Sequence, residues 1–97
     1  MDEASVRVAA EEHANAMVAK DLKTAGSVLT KEAGAQAGGV MKAMPGELTG
    51  CAIKDVSTAG DEVIVTITYQ GAEGETTVES RWAEIDGRPM IANLAVL

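Results

Sequence analysis

The chain has few of the residues that usually mark catalytic, metal-binding or secreted modules. It contains one cysteine, one histidine and two prolines, and its aromatic residues are one tyrosine and one tryptophan, with no phenylalanine. The single cysteine, Cys51, can form no disulfide within the chain and no thiolate cage for a metal ion. These scarcities exclude a disulfide-rich module and favour a reducing compartment.

Positive charge and long apolar runs are also scarce. Eight Lys and Arg residues stand against 15 Asp and Glu residues, which gives a net charge of −7. Such a chain repels phosphate backbones and anionic lipid heads, so we expect neither nucleic acid nor a membrane surface as partner. The first residues, Met1 to Ser5, lack the basic and apolar regions of a signal peptide. We therefore expect a cytoplasmic protein.

The residues that are present divide the chain into two halves. Residues 2–44 are rich in alanine and have helical spacing, whereas residues 48–97 predict four strands separated by glycine-containing turns. Helices followed by an antiparallel meander predict an α+β fold, with the helices packed on one face of a curved four-stranded sheet. At 97 residues the chain is predicted to be one domain, residues 1–97.

Capping residues and apolar spacing predict three helices. Asp2 or Ser5 can cap the first helix, Asp21 can cap a second, and Thr30 can cap a third over residues 31–44, which Pro45 ends. The apolar spacing of the second helix continues through Val28 and Leu29, and Gly38-Gly39 weaken the third helix. The first helix has one stripe that should face the sheet: Val6, Ala9, Ala10, His13, Ala14 and Met17.

The strands differ in how clearly they define a core face. Strict alternation in residues 62–70 places Val63, Val65, Ile67 and Tyr69 on one face, whereas neither face of residues 76–85 is a clean core face. The last strand, residues 90–97, is apolar on both faces, with Leu94 on one face and Ile91 on the other. Since a strand that is apolar on both faces needs cover on both, we predict a homodimer through the outer sheet face. The alternative is that this segment is a loose chain end.

His13 is the only candidate for acid–base chemistry. It lies in the apolar stripe of the first helix, where a neutral imidazole beside a carboxylate could move a proton. Glu32 and Asp55 are the candidate carboxylates. The alternative is a core histidine with one backbone or hydroxyl partner. No catalytic motif, metal cluster or phosphate loop is present, so no residue is assigned as catalytic, and no metal or other cofactor is expected.

Several residues could line a pocket between the helices and the sheet. Tyrosine and tryptophan could instead be core filler with a polar tip at an edge. The methionines, Met17, Met41, Met44 and Met90 besides the first, could line an adaptable apolar cavity or fill gaps in a core without phenylalanine. Arg81 is predicted to form a cross-strand ion pair. The candidate ligand-binding residues are His13, Met17, Tyr69, Trp82 and Asn93.

Four segments carry a family resemblance. They are His13 to Leu22 with its break at the aspartate, the helix end at Met44-Pro45, residues 48–53, and the Arg-Trp-x-Glu strand with its Gly-Arg-Pro turn at residues 80–89. Together they resemble the nuclear transport factor two-like superfamily, most of all its small bacterial members. The resemblance implies a cystatin-like α+β cone. It does not imply one activity, because the superfamily includes ketosteroid isomerases, dehydratases, polyketide cyclases and non-enzymatic binding proteins.

The chain departs from the isomerase members of that superfamily. Those members use a tyrosine near the end of the first helix and an aspartate base after the second. Here the first helix has no tyrosine, and Lys31 and Glu32 follow Leu29. We therefore expect a dimeric, non-enzymatic module that binds an apolar small molecule or a protein partner. The alternative is a small isomerase or hydrolase-like enzyme in which His13 acts as acid or base.

Overall fold

The structure, a computed structural model, describes residues 1–97. Three helices, α1 (Glu3–Val18), α2 (Leu22–Gly26) and α3 (Lys31–Ala43), precede four strands, β1 (Leu48–Ala59), β2 (Glu62–Gly71), β3 (Gly74–Ile85) and β4 (Arg88–Val96). The strands form one antiparallel sheet in the order β1-β2-β3-β4. The predicted α+β class and the helices-then-meander order are confirmed. No helix has both the length and the apolar character that crossing a bilayer requires.

Local capping determines where the helices begin. The side chains of Asp2, Asp21 and Thr30 each accept a hydrogen bond from the backbone N–H three residues further on, at 2.6, 3.2 and 3.2 Å. Each bond satisfies one of the N–H groups that a helix start leaves unpaired. All three capping residues were predicted. The second helix, however, ends at Gly26 and does not continue through Leu29.

The segment after α2 forms a bridge to β4 where a longer helix was predicted. Ile91 N donates to Val28 O at 2.7 Å, and Thr30 N donates to Ile91 O at 3.0 Å. These are the two bonds of a short parallel pairing. The pairing leaves α2 little more than one turn long and fixes the start of α3 at the β4 edge.

Gln36 of α3 covers the next part of the same edge. Its Nε2 donates to Asn93 Oδ1 at 2.7 Å, and Leu94 N donates to its Oε1 at 2.8 Å. An edge strand exposes unpaired backbone groups to other chains. Gln36 and the bridge together occupy this edge of β4 and hold α3 against the sheet.

The inner face of β2 lies at the centre of the core. Val63, Val65, Ile67 and Tyr69 are all buried, as the alternation predicts. They pack with Val6, Ala10 and Ala14 of α1 and with residues of α3, β3 and β4. The apolar stripe of α1 therefore does face the sheet.

The third strand has a core face, contrary to the sequence-based prediction. Val78, Ser80 and Trp82 are all buried. Ser80 tolerates burial because its hydroxyl donates to Val65 O at 3.0 Å and accepts from Trp82 Nε1 at 2.9 Å. These bonds satisfy both polar groups inside the core.

A bulge in β4 overturns the predicted faces of the last strand. Arg81 pairs with Asn93 and Trp82 with Ile91, so Ala92 is an extra residue in β4. Ile91 and Leu94 consequently share the helix-covered face, and both are buried. The prediction that they lie on opposite faces is wrong, since an extra residue shifts the alternation by one.

The centre of the outer sheet face is polar. Arg81 Nη1 lies 3.2 Å from Glu62 Oε1, which confirms the predicted cross-strand ion pair. The hydroxyl groups of Thr68 and Thr77 lie 3.0 Å apart on the same face. This face therefore offers a partner less apolar area than the sequence pattern of β4 suggested.

Exposed glycines in α3 provide a test of the helix itself. Gly38 is exposed, and a Cβ added there would meet no atom within 4 Å. We expect Gly38→Ala to raise the free energy of unfolding by about 0.5–1 kcal/mol, because alanine loses less backbone entropy on entering a helix. Urea denaturation followed by circular dichroism measures this change.

Gly87 provides the matched control for that substitution. Its φ of +77° lies in the left-handed region, so Gly87→Ala should lower the free energy of unfolding by about 1 kcal/mol. Destabilisation by Gly38→Ala would contradict an exposed helical conformation at Gly38, and stabilisation by Gly87→Ala would contradict a left-handed conformation at Gly87.

Candidate functional site

A cavity of about 200 Å³ lies between the helices and the inner face of the sheet. All three helices contribute to its wall, together with β2, β3 and β4. Of its 13 lining residues, 11 are hydrophobic, so the wall is almost entirely apolar. The lining residues are His13, Met17, Leu22, Ala25, Gly26, Leu29, Ala37, Val40, Met41, Met44, Tyr69, Val78 and Leu94.

Small side chains on the helices leave this space open. Ala25 and Gly26 of α2 and Ala37 of α3 line the cavity and contribute little side-chain volume to it. The chain has no phenylalanine to fill the gap. Protein interiors are otherwise close-packed, with few voids larger than a water molecule. The cavity is therefore a consequence of the helix composition.

The opening lies between α2 and the end of α3. Leu22 and Met41 line the cavity but keep 59% and 45% of their surface exposed, unusual for large apolar residues. A second depression adjoins it, sharing Met17, Leu22, Met41 and Met44 and adding Lys20 and Leu48. A molecule can thus reach the cavity past flexible side chains.

His13 lies in the wall with its ring orientation fixed. It is 8% exposed, and its Nδ1 lies 2.9 Å from Ala25 O. A carbonyl oxygen only accepts, so Nδ1 carries a proton and donates, and in the neutral ring Nε2 is then an acceptor. Burial lowers the pKa of His13, and the bond to Ala25 opposes this only in part. The imidazole is neutral at physiological pH.

Tyr69 presents the second polar group. It is 2% exposed, and no protein group hydrogen-bonds to its hydroxyl. Burial raises the pKa of Tyr69, with a smaller contribution from Cys51, so the hydroxyl keeps its proton. Every fully buried side-chain nitrogen or oxygen has a partner. Because the Tyr69 hydroxyl and His13 Nε2 have no protein partner, both atoms keep some accessible surface. Both residues line the cavity.

The structure brings together three of the five predicted ligand-binding residues. His13, Met17 and Tyr69 line the cavity. Trp82 is fully buried beside His13, with the two rings nearly perpendicular and their centroids 6.3 Å apart. Asn93 is engaged by Gln36 at the β4 edge. Neither Trp82 nor Asn93 belongs to the cavity wall.

The structure does not place either candidate carboxylate beside His13. Glu32 is exposed in the first turn of α3, and Asp55 is exposed on β1. No Asp or Glu lines the cavity. The only hydrogen bond that His13 makes is to a backbone carbonyl. The site therefore contains one potential acid–base group without the carboxylate that a proton relay would use.

The cysteine lies outside the cavity wall as well. Its Sγ is 3.5 Å from Asn15 Oδ1, and burial raises the pKa of the Cys51 thiol, with a contribution from Glu11. A thiol with a raised pKa is a poor nucleophile at neutral pH. No group of three or more His, Cys, Asp or Glu residues is arranged to hold a metal ion.

Met41 and Met44 were predicted from the sequence as possible cavity residues, whereas Ala37 and Val40 of α3 were missed. Counting from the Thr30 cap, Ala33, Ala37, Val40 and Met44 recur at helical spacing, so they share one stripe. That spacing could have identified Ala37 and Val40 as residues facing the sheet. Leu22, Ala25 and Leu29 belong to the apolar spacing predicted for the second helix, whereas Gly26 carries no such signal.

No protein-family model, no curated protein and no solved structure matches this chain.

The lowered pKa of His13 predicts that stability depends on pH. The histidine of the unfolded chain takes up a proton near its ordinary pKa of 6.5, whereas the buried ring resists protonation. Stability is therefore complete above pH 6.5 and falls as the pH drops from 6.5 toward the lower pKa of the folded state. Urea denaturation at pH 8, 7, 6 and 5.5 should show this fall.

His13→Asn is the control for this pH dependence. Asn Nδ2 is as many bonds from the backbone as His Nδ1, so it can donate to Ala25 O without titrating. The carboxyl pKa values of Asp2 and Asp21 lie below 3.8, because both accept capping bonds, and therefore fall outside the tested window. An equal fall in the variant would contradict the assignment to His13.

Proposed function

We propose that this protein is a non-enzymatic module that binds a small apolar molecule in the cavity between its helices and its sheet. The observation that carries the proposal is the cavity itself, with its nearly continuous apolar wall. Burying apolar surface in a preformed space is the usual basis of small-molecule binding. The absence of a carboxylate from the wall favours binding over acid–base catalysis.

The volume of the cavity limits the size of the ligand. An apolar cavity of about 150 Å³ can hold benzene. By simple proportion, a cavity of about 200 Å³ suits a molecule of roughly eight non-hydrogen atoms. Met17, Met41 and Met44 lie in the wall, and their unbranched side chains can adapt to ligands of different shape. A single substituted ring is the ligand shape that fits best.

We further propose membership of the nuclear transport factor two-like superfamily, with its cystatin-like cone. The order of helices and strands supports the proposal, and so does the position of the cavity between them. The motifs at residues 13–22 and 80–89 support it independently of the structure.

The homodimer through the outer sheet face stays a prediction. The bulge at Ala92 and the Arg81–Glu62 ion pair reduce the apolar area on that face. Exposed Val96 does not add to it, because Val96 pairs with the core residue Val78 and so shares the inner face. Light scattering coupled to size-exclusion chromatography should give twice the chain mass of 10.0 kDa. A mass of one chain would contradict the dimer and leave the cavity proposal intact.

Thermal unfolding in the presence of p-xylene tests the binding function. A molecule that binds only the folded state raises the midpoint temperature, by an amount that grows with the logarithm of its concentration over its dissociation constant. We expect p-xylene, with its eight carbon atoms, to raise the midpoint. The control is 1,3,5-triisopropylbenzene, which exceeds the cavity and should have no effect. Equal effects of both compounds, or no effect of p-xylene, would contradict the proposal.

A further inference from the structure

We propose that the cavity selects an apolar molecule bearing one hydroxyl group, such as a small phenol, whose hydroxyl donates to His13 Nε2 and accepts from the Tyr69 hydroxyl. This inference deepens the binding function proposed above and rests on it. It starts from two polar groups that the apolar wall does not satisfy.

The first group is an acceptor whose identity the fold determines. At the end of α2, Leu29 N donates to Gly26 O, three residues back, at 3.1 Å and not to Ala25 O, four residues back. Ala25 O is therefore free to accept from His13 Nδ1 at 2.9 Å. With the proton held on Nδ1, the neutral ring presents a lone pair at Nε2. A ligand group that pairs with Nε2 must therefore be a donor.

The second group is a hydroxyl that the protein leaves unpaired. Only 2% of the Tyr69 surface is exposed. Its hydroxyl makes no hydrogen bond to a protein group, and because no fully buried polar side-chain atom lacks a partner, this hydroxyl keeps accessible surface. The Tyr69 hydroxyl keeps its proton, so it can donate to a ligand oxygen.

One ligand group satisfies both requirements. A hydroxyl both donates and accepts, whereas a ketone or an ether only accepts. A carboxylate would place a charge in a wall that contains no cationic side chain, which is strongly unfavourable. The hydroxyl is therefore the polar group that the wall favours.

The test compares two probes of the same shape by isothermal titration calorimetry. p-Cresol and p-xylene differ only in that a hydroxyl replaces one methyl group. We expect p-cresol to bind on the order of tenfold more tightly, because p-xylene leaves both polar groups unpaired. Equal affinity for the two probes would overturn this inference and leave the binding function standing. No binding of either probe would overturn both.

Two variants connect the preference to the named atoms. Tyr69→Phe removes a hydroxyl with no protein partner, so the variant should fold as stably as the parent chain. His13→Asn keeps a donor for Ala25 O and removes Nε2. In each variant we expect the affinity ratio of p-cresol to p-xylene to fall to within about threefold of one.

The control variant is Thr66→Val, which removes a hydroxyl on β2 outside the cavity wall. It should keep the full preference for p-cresol. A preference that survives in both Tyr69→Phe and His13→Asn would show that other groups recognise the hydroxyl, and it would overturn the inference.

Discussion

Trp82→Ala is expected to lower the free energy of unfolding by about 3–5 kcal/mol. That loss is a large part of the whole free energy of unfolding, which is about 5–15 kcal/mol for a typical protein. Trp82 is fully buried and is the largest side chain of a core without phenylalanine. Its removal leaves a void beside His13 and takes away the donor to Ser80 Oγ. Urea denaturation followed by far-ultraviolet circular dichroism measures the loss, since the variant has no tryptophan fluorescence.

Trp82→Phe separates packing from hydrogen bonding at this position. Phenylalanine keeps an aromatic ring in the core and loses the Nε1 bond, while Ser80 still donates to Val65 O. We expect a smaller loss of about 1–2 kcal/mol. Equal losses for the two variants would mean that the hydrogen bond, not the packing, determines the contribution of Trp82. A loss below about 1 kcal/mol for the alanine variant would contradict its central place in the core.

Ala37→Leu is expected to weaken the binding of p-xylene at least about tenfold. Ala37 lies in the cavity wall on α3, so the larger side chain occupies space that the ligand needs. Filling a cavity with apolar atoms removes part of the cost of leaving it empty, so the variant should remain folded. Calorimetric titration with p-xylene measures the loss.

Ala35→Leu is the matched control for that substitution. Ala35 is exposed on the same helix, so the change adds the same atoms to α3 without entering the cavity. It should bind p-xylene as the parent chain does. Equal affinities of the Ala37→Leu and Ala35→Leu variants would contradict the assignment of the binding site.

Local features of the fold could be predicted from the sequence, whereas features that depend on distant pairing could not. The caps at Asp2, Asp21 and Thr30 depend on residues three positions away, and the strict alternation of β2 depends only on its own residues. The extra residue at Ala92 is different, because a period of two cannot reveal which residue its partner strand will skip. The burial of Ser80 likewise depends on its partners in the folded core.

The candidate site was predictable to the same extent. His13 follows from the stripe of α1, and Tyr69 follows from the alternation of β2. Trp82 lies on the inner face but behind His13, outside the cavity wall, and the pattern of residues 76–85 did not assign that strand a core face. Asn93 could not be placed, because its partner, Gln36, lies 57 positions away and the two meet only when α3 packs on the β4 edge.

The methionines allow the most direct test of the proposed binding site. Met17, Met41 and Met44 line the cavity, whereas Met1 and Met90 do not. In protein labelled with ¹³C at the methionine methyl groups, we predict that p-xylene shifts the signals of the three cavity methionines in a saturable manner and leaves the other two unchanged. Equal shifts of all five signals, or no shifts at all, would contradict a specific cavity between the helices and the sheet.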